Sequence, residues 1–157
     1  MHETADTSFT VLTAAAERAR QANSSEFPFR ISQLARDLEV ELSRPAALQR
    51  IADALLPFAR ESQCTSIVGA SAAGERIAGA LMATHGAKLL GQSDAPGSRV
   101  LVLDAVLTTG AQMQQAIERI RKSGVHDVCG AVLVADHEAL RICGEIVGAR
   151  VIALREF

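Results

Sequence analysis

The stretch "VLVLDAVLTTGAQ", residues 100–112, begins as an apolar strand, reaches an acid and continues as a helix after Thr-Thr-Gly. The run from Val100 to Leu103 predicts a buried strand that delivers Asp104 to the edge of a sheet. The next helix carries its apolar side chains on one face and stops at Gly124. This junction either binds a ligand or only caps a helix.

Short apolar runs separated by helical patterns continue on both sides of this junction. The predicted strands are "TSIVGA", "AKLLG", "RVLVLDA", "VCGAVLVA" and "ARVIAL". Between most of them lie helical stretches such as "GERIAGALMATHG" and "AQMQQAIERIRKSG". The alternation predicts an α/β fold with a doubly wound, mainly parallel sheet and helices on both faces. Such sheets bind ligands beyond the carboxyl ends of their strands, here at residues 69–74 and 104–110.

The N-terminal part of the chain predicts two helices. Apolar residues recur at helical spacing from Ser8 to about Ala22. Another helix follows Ser43, a candidate N-cap, with Pro45 in its first turn and an end near Ser62. We expect one domain over residues 1–157, in which a small N-terminal addition (1–62) precedes an α/β core (63–157).

The segment "EFPFRISQLARDLEVELSR" lies between these two helices and fits either type of element. Leu34 and Leu38 follow a helical period, whereas Val40 and Leu42 alternate as in a strand. Its type stays open on the sequence.

The composition narrows the classes of partner. Sixteen Lys plus Arg against eighteen Asp plus Glu give a net charge of -2, which argues against nucleic acid or an anionic membrane as a partner. The start "MHETADTSFT" lacks a secretory pattern, and no apolar run reaches the ~18 residues of a membrane span, so we expect a soluble cytoplasmic protein. Three widely spaced cysteines without a C-x-x-C pair indicate free, buried thiols rather than a disulfide framework or a zinc site.

The residues of the 104–112 junction support two interpretations equally, a ligand site and a helix cap. Free amides in the first helical turn, the positive end of the helix dipole and the hydroxyls of Thr108 and Thr109 suit a phosphate monoester. Asp104 would accept hydrogen bonds from sugar hydroxyls. Alternatively, Thr109 and Gln112 form a capping box that needs no ligand, and Asp104 satisfies loop amides.

A resemblance changes this balance. "VLVLDAVLTTG" resembles the signature of the type I phosphoribosyltransferases, in which apolar strand residues precede two acids, two apolar residues and a Thr-Thr-Gly phosphate loop. "IVGASAAGERIAGAL" looks like the pyrophosphate loop of the family, and "VLVADHEAL" resembles a segment of the orotate phosphoribosyltransferases. The resemblance extends from about Ile51 to the C-terminus and is nearest to the orotate branch. The N-terminal third adds a helix and a possible strand that in the family help to build a hood over the base.

The resemblance implies binding roles for both junctions. The 5-phosphate of phosphoribosyl pyrophosphate would bind to Val106, Leu107, Thr108, Thr109, Gly110, Ala111 and Gln112. A ribose hydroxyl would bind to Asp104. The pyrophosphate would approach the backbone of Ala70, Ser71, Ala72, Ala73 and Gly74. A glycine turn that lets strand and helix pack closely explains this last loop without a ligand.

Three further residues have both a functional and an ordinary explanation. Arg76 would add a cation near the pyrophosphate, but a solvated arginine is the ordinary case. His137 stands where the orotate branch has its basic residue and would contact a base, but a histidine at an exposed helix start is the ordinary case. Asp136 fits an N-cap better than a ligand contact.

Three departures from the family pattern argue against efficient catalysis. Ala105 replaces the second acid of the signature, and one lost charged hydrogen bond costs about 1.5–3 kcal/mol. Ala73 stands where the orotate branch commonly has Lys. The interval "KLLGQSDAPGSR" is too short for the long flexible lid that carries catalytic Lys and Arg in the family.

We therefore expect a phosphoribosyltransferase homologue that binds phosphoribosyl pyrophosphate or a 5-phosphoribosyl nucleotide, with weak or lost catalysis and no assigned catalytic residue. Mg²⁺ would be bridged by ligand oxygens rather than held by a protein metal site. An active orotate-like transferase, completed by the partner subunit of a homodimer, is the first alternative. The second alternative is a structural or interaction protein that keeps the fold without the pocket.

Overall fold

The computed structural model describes residues 27–90 and 97–157. The helices are α1 (Phe27–Leu42), α2 (Pro45–Ser62), α3 (Ala72–Leu90), α4 (Ala111–Lys122) and α5 (His137–Val147). The strands are β1 (Ser66–Gly69), β2 (Arg99–Leu107), β3 (Asp127–Ala135) and β4 (Val151–Glu156). The helix predicted from Ser8 to about Ala22 lies outside the described residues. Within those residues, none of the helices combines the length and apolar character that crossing a membrane requires.

A parallel sheet in the order β1-β2-β3-β4 forms the centre of the structure. One face, with side chains such as Leu101, Leu103 and Leu133, packs against α1, α2 and α3. The other face, with side chains such as Val102 and Val132, packs against α4 and α5. Because both faces are covered, the inner strands β2 and β3 are apolar almost throughout. The predicted α/β fold with helices on both faces is confirmed.

The segment of open type is helical. In α1, Leu34, Leu38 and Leu42 are at most 2% exposed, whereas Val40 is 58% exposed. Spacing of four residues places the three leucines on one face of a helix, and this face packs into the core. The possible hood strand is therefore absent from residues 27–62, the described part of the N-terminal addition.

The predicted helix from Pro45 to Ser62 is confirmed, but its cap differs from the prediction. Arg44 occupies the N-cap position and makes no side-chain cap hydrogen bond. Ser43 Oγ instead donates to Val40 O at the end of α1. The predicted N-cap at Ser43 is wrong, because the Ser43 hydroxyl is hydrogen-bonded to the last turn of α1 instead of the first turn of α2.

The predicted strand "AKLLG" is wrong. Its residues 87–90 form the end of α3, which runs without interruption from Ala72 to Leu90. Ala, Lys and Leu are among the best helix formers, and a short apolar run has no periodicity that separates a buried strand from a helix. The sheet described here consequently has four strands where the sequence predicted five.

Candidate functional site

The ends of β1 and β2 bring the two predicted junctions side by side. Gly69 pairs with Leu103 in parallel register, and Ala70 N donates to Leu103 O over 2.8 Å. The loop after β1 therefore lies beside Asp104. Because β2 continues to Leu107, Asp104 lies within the strand rather than at its end, where the sequence placed it.

Asp104 is a buried carboxylate, 5% exposed, and only one of its oxygens is used. Its Oδ1 accepts hydrogen bonds from Ser71 Oγ at 2.5 Å and from Ala105 N at 2.8 Å. Ser71 Oγ also accepts a hydrogen bond from Gly74 N at 3.1 Å, so Ser71 joins Asp104 to the first turn of α3. Asp104 Oδ2 accepts no hydrogen bond from any residue in the described ranges. It is the oxygen with capacity for a ligand hydroxyl.

Two glycines let α3 approach the strands closely. A Cβ atom at Gly74 would lie 2.1 Å from Leu103 O, and one at Gly69 would lie 2.1 Å from Glu75 N. No side chain fits at either position. Packing alone therefore explains these two glycines.

The loop between β2 and α4 is capped by glycine. Gly110 has φ +80 and occupies the N-cap position of α4, where its carbonyl accepts a hydrogen bond from Gln114 N at 2.9 Å. Thr109 Oγ1 accepts a hydrogen bond from Ala111 N at 3.3 Å. The capping box predicted for Thr109 and Gln112 is wrong, because the N-cap residue has no side chain.

Two amides in the first turn of α4 remain available. The N-H groups of Gln112 and Met113 donate to no atom in residues 27–90 or 97–157. The first turn borders a cleft of about 260 Å³. The cleft is lined by Val106, Leu107, Thr108, Thr109, Gly110, Ala111, Gln112 and Met113. It thus contains amide donors, the positive end of a helix dipole and two threonines, without any carboxylate among its described residues.

A second cleft, of about 290 Å³, adjoins the first and contains Asp104. Its lining is Ala35, Leu38, Glu39, Leu42, Ser71, Ala72, Ala73, Asp104, Ala105, Val106 and Gln112. Val106 and Gln112 line both clefts. Two carboxylates, Glu39 and Asp104, line this second cleft, and none of its described lining residues is Lys, Arg or His. We call the first space the amide cleft and the second the acidic cleft.

The part that α1 plays in the acidic cleft was missed by sequence reasoning. Ala35, Leu38, Glu39 and Leu42 share the face of α1 that closes this cleft. Their spacing of three and four residues marks one helix face. Nothing in the sequence, however, indicates which element that face packs against.

Five predicted residues line neither cleft: Ala70, Gly74, Arg76, Asp136 and His137. Arg76 is exposed on α3. His137 begins α5 and lines a separate cleft beside β4, where its Nδ1 lies 2.6 Å from Glu156 Oε2. The hydrogen bond to this carboxylate raises the pKa of His137. Asp136 has the predicted N-cap position of α5 but makes no side-chain cap hydrogen bond.

A buried thiol packs behind the amide cleft, a contact that sequence reasoning missed. A Cβ atom at Gly110 would lie 2.9 Å from Cys143 Cβ, so α5 fixes the loop from behind. Cys143 is 3% exposed, and burial raises its pKa. All three cysteines are free, as predicted: Cys64 and Cys143 are buried, and Cys129 is half-buried.

The chain is similar in sequence to the orotate phosphoribosyltransferase of Sulfolobus acidocaldarius. The two are 34% identical over 70 residues, which is 45% of this chain and 36% of the relative. The match thus spans about a third of the length of that curated relative. No protein-family model matches the chain.

Solved structures of phosphoribosyltransferases share the fold. Orotate phosphoribosyltransferase from Aeropyrum pernix superposes with a TM-score of 0.57 at 25% identity, covering 74% of each chain. UMP synthase from Leishmania donovani superposes with a TM-score of 0.64 at 25% identity, covering 77% of this chain and 29% of that one. Mycobacterium tuberculosis orotate phosphoribosyltransferase, in complex with 5-phospho-alpha-D-ribosyl 1-diphosphate, gives a TM-score of 0.59 at 20% identity and covers 76% and 78%. That last likeness concerns the fold alone.

Proposed function

We propose that this chain, which is similar in sequence and fold to phosphoribosyltransferases, binds a 5-phosphoribosyl compound and has weak or no transferase activity. One observation carries the proposal: the amide cleft and the buried Asp104 adjoin each other at the carboxyl edge of the sheet. A phosphate in the amide cleft would receive the N-H groups of Gln112 and Met113 and the threonine hydroxyls. The ribose would then extend toward Asp104 Oδ2, which is free to accept a hydroxyl hydrogen bond.

Weak catalysis follows from what lines the acidic cleft. Transfer of a phosphoribosyl group releases pyrophosphate, and enzymes stabilise such a leaving group with cations. Among the described lining residues there is no cation, and Ala73 packs against the apolar core. Ala105, at the position of the missing second acid, is 6% exposed and belongs to the same core. At both positions where the sequence departs from the family pattern, Ala73 and Ala105, the side chain thus packs in the apolar core.

Mg²⁺ would accompany the ligand rather than occupy a protein site. Residues 27–90 and 97–157 contain no group of three or more His, Cys, Asp or Glu side chains arranged to hold a metal ion. Asp104 Oδ2 fits a role as one oxygen partner of an ion that ligand oxygens hold. Such an ion would help to neutralise phosphate charge. The homodimer and the cytoplasmic location remain predictions, and sedimentation equilibrium tests the first.

Calorimetric titration tests the binding proposal. We expect heat of binding with phosphoribosyl pyrophosphate, ribose 5-phosphate or nucleoside 5′-monophosphates in the presence of Mg²⁺. Asp104→Asn should weaken binding roughly tenfold to a hundredfold, since it removes one charged hydrogen bond. Asp127→Asn, an exposed aspartate at the opposite end of the sheet, is the matched control and should bind like the unmodified protein. Absence of heat with every ligand would favour a structural role.

Incubation with phosphoribosyl pyrophosphate, Mg²⁺ and a panel of bases that includes orotate tests the catalytic part. We expect no formation of nucleotide and pyrophosphate above the rate without protein. Turnover that disappears in Asp104→Asn would contradict weak catalysis and establish the alternative, an active transferase.

A further inference from the structure

β4 forms one edge of the sheet, and its outer side faces away from the other strands. Among the described residues, β3 is the only strand that pairs with β4. Gly130 lies opposite Val151 in the parallel register and donates its N-H to Arg150 O, so alternate residues of β4 bind β3. The backbone groups of the intervening residues, such as Val151 and Ala153, therefore point away from β3.

The sequence of β4 contains little that would block pairing with a further strand. Natural proteins protect edge strands with Lys, Pro, β-bulges or a very short strand. Val151–Leu154 contain neither Lys nor Pro, and their apolar side chains are half-buried. β4 has six residues, whereas β1 at the opposite edge of the sheet has four. The outer edge of β4 is thus suited to take up another strand.

We propose that this strand is β4 of a second copy of the chain, paired antiparallel across a two-fold axis at Ala153. The two four-stranded sheets would then join into one continuous sheet of eight strands. A two-fold axis makes the two β4 strands antiparallel, and it closes the assembly at a dimer because both copies contribute the same edge. The interface involves no ligand, so this inference is independent of the proposed function.

Charge complementarity favours this register. With the axis at Ala153, Arg150 lies opposite the partner's Glu156 at each end of the paired segment, and Ile152 lies opposite the partner's Leu154 between them. Facing residues of opposite charge and facing apolar residues both stabilise antiparallel strands. Moving the axis by one residue shortens the overlap and sets Arg150 or Glu156 opposite an apolar residue.

Both charged side chains can reach across the axis. Arg150 is 61% exposed and Glu156 is 42% exposed, although each already contacts one residue of its own chain. A guanidinium group has five N-H donors and binds two carboxylates at once. The ion pairs between the subunits would therefore add to the ion pairs within each chain.

α5 adds a second self-complementary surface along the same edge. Together with β4 it lines a cleft of about 400 Å³, in which His137 Nδ1 lies 2.6 Å from Glu156 Oε2. From this contact α5 runs back along β4 to the turn that precedes the strand, so its middle lies level with Ala153. Arg141 and Glu145 line the cleft and are 50% and 64% exposed. The two-fold axis would bring Arg141 of each copy toward the partner's Glu145.

Sedimentation velocity of the full chain tests the inference. We expect a dimer whose fraction rises with protein concentration, because one strand and one helix face make a small interface. Arg150→Glu and Glu156→Arg should each raise the dissociation constant of the dimer about tenfold or more, since each sets like charges opposite each other at both ends. An equal mixture of the two variants should recover the dimer, because every facing pair in the mixed dimer has opposite charges.

Recovery on mixing identifies the surface that forms the dimer. Within one chain, Arg150 and Glu156 are about 20 Å apart along the strand, so a contact between them requires two chains. Arg119→Glu and Glu118→Arg, at exposed positions on α4, are the matched controls and should change nothing alone or mixed. A monomer at every concentration would overturn the inference. So would a dimer that the two variants leave unchanged, or one that their mixture fails to recover.

Amide hydrogen exchange provides a second readout, at the level of the backbone. The N-H groups of Val151 and Ala153 should exchange more slowly as the protein concentration rises, because they donate across the axis in the dimer. The N-H group of Ile152 points toward β3 in the monomer as well and is the internal control. Equal slowing at all three residues would indicate general stabilisation and contradict pairing through this edge.

Discussion

Ser71 is the residue that ties the two strand-to-helix junctions together. Its hydroxyl donates to Asp104 and accepts from Gly74 N, so it holds the buried carboxylate and caps α3 at once. The sequence shows a serine in a glycine turn and gives no reason to pair it with an acid 33 positions away. The pairing follows from the register of β1 and β2, which is a property of the sheet.

Close approach of α3 to β2 makes Gly74 sensitive to the smallest substitution. Gly74→Ala should lower the free energy of unfolding by about 2 kcal/mol or more, because the added Cβ would lie 2.1 Å from Leu103 O and the backbone has to move. Gly79→Ala, on the same helix, is the control: a Cβ atom there meets nothing within 4 Å. It should raise the free energy of unfolding by about 0.5–1 kcal/mol.

Urea denaturation followed by circular dichroism measures both variants. The prediction is that the free energy of unfolding changes in opposite directions in the two variants. Equal destabilisation by Gly74→Ala and Gly79→Ala would mean that α3 does not approach β2 in the way described.

At the scale of elements, the sequence predicted long periodic segments well and short or two-sided ones poorly. The helix after Pro45 and the strand within residues 99–107 were predicted because each has a single consistent pattern. The type of "AKLLG" was predicted wrongly, because so short a stretch shows no period and its Ala, Lys and Leu residues intrinsically favour a helix. The position of α1 over the acidic cleft could not be predicted from the sequence for a different reason. Tertiary packing, which no local pattern encodes, places Glu39 there.

The structure makes α1 part of the core rather than an appendage. Leu38→Ala should lower the free energy of unfolding by about 2–5 kcal/mol, because Leu38 is 1% exposed and its removal leaves a cavity between α1 and the sheet. Val40→Ala is the matched control on the same helix. Val40 is 58% exposed, so we expect a change within about 0.5 kcal/mol. Thermal or urea unfolding of both variants gives the measurement, and similar values for the two would contradict packing of α1 by its leucine face.

At the scale of the whole molecule, the sheet separates two apolar layers, and each layer contains at least one cysteine thiol. Cys64 and Cys129 belong to the layer with α1, α2 and α3, and Cys143 belongs to the layer with α4 and α5. Burial raises the pKa of all three thiols, and that of Cys129 reaches about 11. The thiol pKa of an unfolded chain is near 8.5. The folded protein therefore keeps its thiol protons at alkaline pH where the unfolded chain has already lost them.

This difference predicts a loss of stability in alkali. Between about pH 9 and 11 the unfolded state binds fewer protons than the folded state, so the free energy of unfolding should fall as the pH rises. Below about pH 8 both states are protonated at sulfur and the thiols contribute no slope. Lysines also titrate in alkali, and Cys129→Ala separates their effect from that of the thiol. The variant starts from a somewhat lower stability because it loses packing, but it should show a shallower decline when urea unfolding is measured across this range. Parallel pH profiles for the two proteins would mean that Cys129 is not protected from ionisation in the folded state.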